Sequence, residues 1–376
     1  MSPCGPVNSA GDSTGERALG PLAGLKVVEL ANIGPTGHAA MVLADLGADV
    51  VRVQRPGDGG GTPLHMLRGR RLITADLKNP AAIADVVALA TRADVLLEGF
   101  RPGVAERLGL GPGDLLPRNP RLVFARLTGW GQDGPRSGAA GHDINFIAPT
   151  GILHSMGSAD SRPTPPLNLV AGFAGGSMFA VTGILSALWE RNTSGQGQVI
   201  DVSMAEGALI LSQQAWTLRP SGYWSDIRGT NLVDGSCPFW DTYECSDGRY
   251  MAVGAFEPQF YSRFLTTLDI DQAAAPAQYD RDAWPALRTM IANRFQRKPR
   301  DQWAQIFATV DCCVTPVLDF SEAPDDPQFR HRDSIIEFEG VTQPAAAPRF
   351  SRTPSPPPTL PVHERSIHGV WAGDED

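Results

Sequence analysis

The sequence predicts an α/β protein: a large domain built on a parallel sheet, followed by a small α+β domain. Three observations predict it. The chain has 376 residues, 42% of them hydrophobic, which is enough for a large core and too many for one modest domain. Short β-branched runs alternate with helical segments through the first half, the pattern of βαβ units. The composition then changes after Arg219-Pro220-Ser221-Gly222, whose turn chemistry reads as the start of a linker.

Taken in order, residues 1–19 are small, polar and charged without an apolar stretch. They read as a disordered extension and not a signal peptide, so a cytoplasmic location is expected. Residues 25–30 (LKVVEL) form the first strand, and the turn Ile33-Gly34-Pro35-Thr36-Gly37 leads into a helix over 38–46 that Gly47 caps. A strand at 49–53, a helix at 80–92 and strands at 94–98 and 121–127 continue the pattern, giving a parallel sheet covered on both faces. A long helix over 173–191, packed with small residues, and a strand within 195–203 close a large domain of residues 20–203. A helix over 205–218 opens the linker, 204–234. The small domain, 235–325, begins with a hairpin around Ser246-Asp247-Gly248 and continues with helices at 258–268, 282–295 and 300–309 and a strand at 314–320. Residues 326–376 return toward the large domain, and their proline-rich part, 343–361, is expected to be a surface strap or disordered.

Composition excludes several classes. A net charge of −9 opposes non-specific nucleic-acid binding, which needs a basic face. The longest apolar runs, such as 178–189, stop short of the roughly 20 residues that span a bilayer, so no membrane span is expected. Five cysteines form no CxxC pair, and a disulfide framework or metal site is not expected. The first βα turn lacks GxGxxG, and there is no GxSxG elbow or Walker A sequence. The adjacent Cys312 and Cys313 read as core residues.

From GPLAGLKVVELANIGPTGHAAMVLADLGADVVRVQRPG onward the chain resembles the α-methylacyl-CoA racemases and class III CoA-transferases of the CaiB/BaiF type. The resemblance continues through RRLITADLK, LLEGFRPGVAERLGLG, LTGWGQDGPRSGAAGHDINFIAPTGILHSMG, GQGQVIDVSMAEG, DTYECSDGRYMAVGAFEPQFY and CVTPVLDFSEAP, over roughly residues 20–350. It implies a Rossmann-like large domain, a small domain and an interlocked homodimer, with the active site between the large domain of one subunit and the small domain of its partner. It also implies an acyl-CoA substrate and no cofactor beyond the CoA carried in the thioester.

The phosphates of CoA need cationic donors near a loop or helix start. Candidates are Arg55, Arg68, Arg70, Arg71, Lys78, Arg101 and Arg107, of which the family pattern favours Arg55, Lys78, Arg101 and Arg107. Ala75 and Leu77, in Ala75-Asp76-Leu77-Lys78, resemble the stretch that lies along adenine.

Racemising a 2-methylacyl thioester requires two acid/base groups flanking the α-carbon and a donor for the enolate oxygen. The resemblance implies His142, in Gly141-His142-Asp143, as one group, with Glu257 of the partner's small domain orienting it and Asp143 beside it as a hydrogen-bond partner. The second group in the family is an aspartate, and Gly172 stands in its place. Losing a positioned acid/base group forfeits about 10²–10⁴ in rate, and a nucleophilic role in CoA transfer is undermined as well. Backbone amides at the start of the helix at Phe173 remain available to an oxyanion. The expected function is therefore altered, one-base chemistry on an acyl-CoA: isomerisation, dehydration or cyclisation through His142. The alternatives are a slower racemase using water or Asp143 at the second face, a CoA-transferase, or a non-catalytic thioester binder. Ile33, Phe146, Met156, Met178, Trp240 and Tyr243 are expected around the pocket.

Overall fold

The computed structural model describes residues 19–32, 34–57 and 62–371. The expected N-terminal extension, apart from Leu19, and Ile33 lie outside the described residues. The first βαβ unit is β1 (Lys26–Leu30), α1 (Pro35–Asp45) and β2 (Asp49–Gln54). Pro35 suits the first turn of α1. Gly47 follows its end at φ +99°, where an added Cβ would lie 1.9 Å from the Leu19 carbonyl oxygen, so only glycine is tolerated. Next come β3 (Arg70–Thr74), α2 (Pro80–Ala90), β4 (Val95–Glu98), α3 (Val104–Arg107), α4 (Pro112–Leu115) and β5 (Val123–Thr128). The Asn79 side chain caps α2 by accepting the Ala81 N–H at 3.0 Å.

The short helices α5 (Asp143–Ile147) and α6 (Ile152–Ser155) precede a π-helix over Leu169–Met178, which runs directly into α7 (Phe179–Ser194). Then follow β6 (Val199–Ser203), α8 (Met204–Leu211) and α9 (Gln213–Leu218). The smaller unit holds β7 (Trp240–Glu244), β8 (Tyr250–Gly254), α10 (Pro258–Thr267), α11 (Trp284–Phe295), α12 (Arg300–Phe307) and β9 (Val314–Pro316). After it come α13 (Pro327–His331), β10 (Ile335–Phe338), β11 (Val341–Pro344) and β12 (Val362–His363).

Seven strands form one sheet in the order β12-β3-β2-β1-β4-β5-β6, parallel throughout. This is the Rossmann-like order with one added edge strand, and it reverses direction between β1 and β4. Neighbouring residues point to opposite faces. Val28, Val51, Leu96 and Phe124 enter the core on the α2 side, whereas Val27, Val50, Leu97 and Val123 pack with Leu43 of α1 and Ile184 of α7. The smaller unit has an antiparallel sheet, β7-β8-β9, over an aromatic core centred on Phe295, whose ring stacks on Tyr243 at 5.3 Å and meets Trp303 edge-on at 5.5 Å.

Three elements differ from the sequence expectation. The helix expected over 173–191 starts earlier and ends later, so that Leu169–Ser194 is one continuous helix of 26 residues containing an 18-residue stretch of mean hydropathy 1.6, by length and composition enough to cross a membrane. Counting only the run 178–189 missed its glycine-rich first part. Its Ala180, Val181, Ile184 and Ala187 are packed against the sheet. The helix expected over 205–218 is two helices meeting at Ser212, and the first packs on the π-helix backbone to backbone. Strand β9 stops at Pro316 because the chain turns at Asp319, whose Oδ1 accepts the Ser321 and Glu322 N–H groups. The proline-rich tail is a strap: Gly69 N–H donates to the Thr359 carbonyl at 2.9 Å, β12 pairs with β3, and the Trp371 indole N–H donates to Asp49 Oδ2 at 2.7 Å.

Candidate active site

The loops that follow β1 and β4 meet at the carboxyl ends of those strands. A Cβ on Gly99 would lie 2.4 Å from Thr36 Oγ1 and 2.7 Å from Asn32 Nδ2, so the two loops meet only because residue 99 is glycine. Glu98, fully buried, accepts the Phe100 N–H at 2.5 Å and the Arg126 Nε–H at 2.9 Å. Burial pushes its carboxyl above the usual range, while the Phe100 and Arg126 bonds pull the other way. Arg126 also pairs with Glu106 of α3 at 2.7 Å. This network, which sequence reasoning missed, stiffens the loop that presents Arg101 and the helix that presents Arg107. Its signal lay within the LLEGFRPGVAER motif, as two carboxylates around a glycine turn.

The structure divides the seven cationic candidates. Arg68 is buried and paired with Asp45 at 2.6 Å. Arg70, fully buried, meets Glu29 Oε2 at 3.1 Å and donates to the Gly37 carbonyl. Arg71 bridges Glu364 at 2.7 Å and Asp49 at 3.2 Å. Arg68 and Arg70 are buried charges that stay paired, and the half-buried Arg71 is held between two carboxylates, which corrects their place among candidates for CoA. Arg55, Lys78, Arg101 and Arg107 are exposed. Arg55, Lys78 and Arg101 follow the ends of β2, β3 and β4, respectively. Ala75, buried, and Leu77, half-buried, stand beside Lys78 on the loop after β3.

His142 is the N-cap residue of α5, its imidazole exposed and its main-chain N–H held by Asn145 Oδ1 at 3.0 Å. Phe146 locks this loop onto the end of β5. A Cβ on Gly129 or Gly141 would lie 2.1 or 2.7 Å from its ring, and Trp130 meets it edge-on at 5.1 Å. Phe146 is therefore core, not pocket wall. So is Tyr243, buried with its hydroxyl donating to the Pro238 carbonyl at 2.5 Å.

Asp143 does not partner His142. Its side chain turns inward, 8% exposed, and Oδ2 accepts the Gly172 N–H at 2.6 Å. The reason is local: at the first helical position a side chain points away from that of the N-cap residue. The same bond takes up an amide that the sequence reading left for an oxyanion. Gly172 lies in the π-helix, which reaches this point because Gly175 and Gly207 let α8 approach. A Cβ on Gly207 would lie 1.9 Å from the Gly175 carbonyl oxygen. At Gly172 itself, however, an added Cβ meets only Asp143 Oδ2 and Pro35 Cγ, both at 3.4 Å, and φ is not left-handed. Neither space nor backbone requires glycine at this position.

One turn further, His38 Nδ1 lies 2.6 Å from Ser177 Oγ and its ring packs on Phe173 at 4.6 Å. Burial, then Arg68, hold its imidazole below the usual histidine range. Glu257 is the exposed N-cap residue of α10, and no hydrogen bond or ion pair joins it to His142 within the chain. A cavity of about 990 Å³ opens after α5, lined among others by Thr150, Met156, Leu211, Trp216 and Trp224. A second hollow of about 550 Å³ is lined by Trp240, Gly254 and Cys313. Met178 is exposed.

The family model for CoA-transferase family III matches residues 22–364. The chain belongs to that family. A mouse (Mus musculus) protein named alpha-methylacyl-CoA racemase is 47% identical over 337 residues, covering 89% of this chain and 88% of the relative. Its human (Homo sapiens) namesake is 44% identical over the same shares. Among solved structures, a CaiB/BaiF family protein from Brucella suis superposes with a TM-score of 0.79 at 29% identity, covering 94% of this chain and 98% of that one. The family match spans both the large sheet and the smaller unit, so the loops carrying His142, Gly172 and Glu257 all lie inside it.

Proposed function

We propose that the chain is an isomerase acting on acyl-CoA thioesters, in which His142 moves a proton at the carbon beside the thioester carbonyl. The observation that carries this reading is the placement of His142: an exposed imidazole on a loop locked by Phe146 and Asn145, next to a glycine-lined helix start. The 47% identity to a protein named as a racemase supports it. Arg55, Lys78, Arg101 and Arg107 would hold the CoA phosphates, with Ala75 and Leu77 along the adenine. Their support is that four exposed cations have no side-chain hydrogen bond or ion pair among the described residues, three of them on loops beyond the strand ends, where α/β sheets bind ligands, and Arg107 at the end of α3. No cofactor beyond the CoA carried by the substrate is invoked.

The reading includes a homodimer in which the partner subunit's Glu257 acts as a positioning residue for His142. Both side chains are exposed, and neither has a hydrogen-bond or ion-pair partner among the described residues. Large apolar side chains are exposed on the π-helix, α7, α8 and α9, including Leu169, Trp189, Ile210 and Trp216, and such a concentration marks a contact surface.

A second reading, one-base isomerisation, dehydration or cyclisation, is favoured by the missing side chain at Gly172. CoA transfer is less well supported, because Gly172 leaves the position of the acyl-carrying carboxylate without a nucleophile. Incubation with each enantiomer of 2-methyldecanoyl-CoA in heavy water tests the proposal. Deuterium enters at the α-carbon with the unaltered protein and not with His142→Ala. No incorporation from either enantiomer would overturn it. Incorporation with retention supports one-base chemistry, and with inversion, racemisation.

A further inference from the structure

The carboxylate of Asp143 occupies an unusual position for a purely structural group. It is more than nine-tenths buried. One oxygen, Oδ2, accepts the Gly172 N–H at 2.6 Å. The other, Oδ1, is buried with no hydrogen-bond partner among the described residues. A buried carboxylate oxygen without a donor is costly, and such groups concentrate where a ligand or a reaction supplies what is missing. Oδ2, the oxygen that the Gly172 N–H holds, stands 3.4 Å from the point where a side chain at position 172 would begin. The carboxylate is thus the acid nearest to the space that Gly172 leaves open, and it belongs to the residue next to His142.

We infer that Asp143 is the second proton-transfer group of this enzyme, acting on the face of the α-carbon opposite His142. The inference rests on the proposed acyl-CoA isomerase activity and specifies it as racemisation. In one direction His142 takes the α-proton, and the electron pair of the broken C–H bond becomes the enolate. The enolate then takes a proton from the Asp143 carboxyl, whose O–H pair returns to oxygen. The protein is left with His142 protonated and Asp143 ionised, the state that begins the reverse reaction, and exchange with water resets it. The Gly172 N–H holds the carboxylate in place through Oδ2 and leaves Oδ1 to meet the substrate. Glycine at 172 has a physical role in this arrangement: it keeps a competing side chain out of the path between Asp143 and the substrate.

The test uses the full-length protein and four forms: unaltered, Asp143→Asn, Gly172→Asp and the double variant, each confirmed folded by circular dichroism and thermal melting. Asparagine keeps the shape and can still accept the Gly172 N–H. With (R)- and (S)-2-methyldecanoyl-CoA in heavy water, chiral analysis and mass spectrometry separate inversion from exchange. The unaltered protein inverts both enantiomers. Asp143→Asn lowers inversion by about 10²–10⁴-fold while His142 continues to exchange deuterium with retention from the enantiomer it faces. The double variant regains inversion, because a carboxylate returns to the same space. Inversion by Asp143→Asn at the unaltered rate would overturn the assignment alone, as would equal loss of exchange and inversion with no recovery in the double variant. Failure of the unaltered protein to exchange any deuterium would overturn the assignment and the proposed function together.

Discussion

Replacing Gly172 by aspartate brings a second carboxylate against Asp143, and the geometry sets the size of the effect. The new Cβ makes ordinary contacts, 3.4 Å to Asp143 Oδ2 and 3.4 Å to Pro35 Cγ, in a backbone conformation open to any residue. Packing and strain therefore contribute little. Two carboxylates roughly 4 Å apart repel by about 4 kcal/mol at an effective dielectric near 20, equivalent to roughly three pKa units. The folded variant relieves that repulsion by keeping one proton on the pair. Above the ordinary carboxylate range the unfolded chain has released that proton, so the folded state binds more protons and stability falls with rising pH. Urea unfolding should find the variant close to the parent near pH 4.5 and at most about 4 kcal/mol less stable near pH 7.5. Gly172→Asn, equal in shape and uncharged, should show no such pH-dependent deficit. Identical pH profiles for the Asp and Asn variants would show that residue 172 does not face Asp143.

Two further outcomes follow from the division of charges and from His38. Arg101→Ala and Lys78→Ala should each weaken CoA binding by about 10–100-fold in calorimetry, the range of one charge-assisted hydrogen bond, whereas Arg71→Ala should leave it unchanged. Equal effects from all three would contradict the separation of free from structural arginines. Because burial and Arg68 lower the pKa of His38, the unfolded chain takes up a proton that the folded state refuses once pH falls below about 6.5. Stability declines in that window, and His38→Gln should flatten this part of the profile; a profile unmoved by the substitution would show that His38 is not held neutral.

Much of the fold was legible because each βαβ unit writes itself locally. Runs such as VVEL and DVVRV put apolar residues on both sheet faces, and Gly47 marks the end of α1 where a left-handed residue must touch Leu19. The charges inside those strands were not legible. Glu29, Arg52 and Arg70 come from three strands and pair only when the sheet assembles, so in sequence Arg70 looks like a solvent-facing cation. The π-helix was invisible for the opposite reason: Val170-Ala171-Gly172-Phe173-Ala174-Gly175-Gly176 carries no periodic signal, and its conformation depends on close packing against Gly207. Asp143 shows the limit at the site itself. Adjacency to His142 suggested a hydrogen-bonded pair, but the start of α5 turns the two side chains apart and delivers the carboxylate to Gly172.

Whether the α-carbon of an acyl-CoA lies between His142 and Asp143 is measured directly by a crystal structure of the protein with 2-methyldecanoyl-CoA. The α-carbon should lie within about 3.5 Å of both the imidazole and Asp143 Oδ1, the reach of a near-attack arrangement, with the CoA phosphates at Arg55, Lys78, Arg101 or Arg107. An α-carbon that is out of reach of His142, or that has both groups on the same face, would contradict that placement.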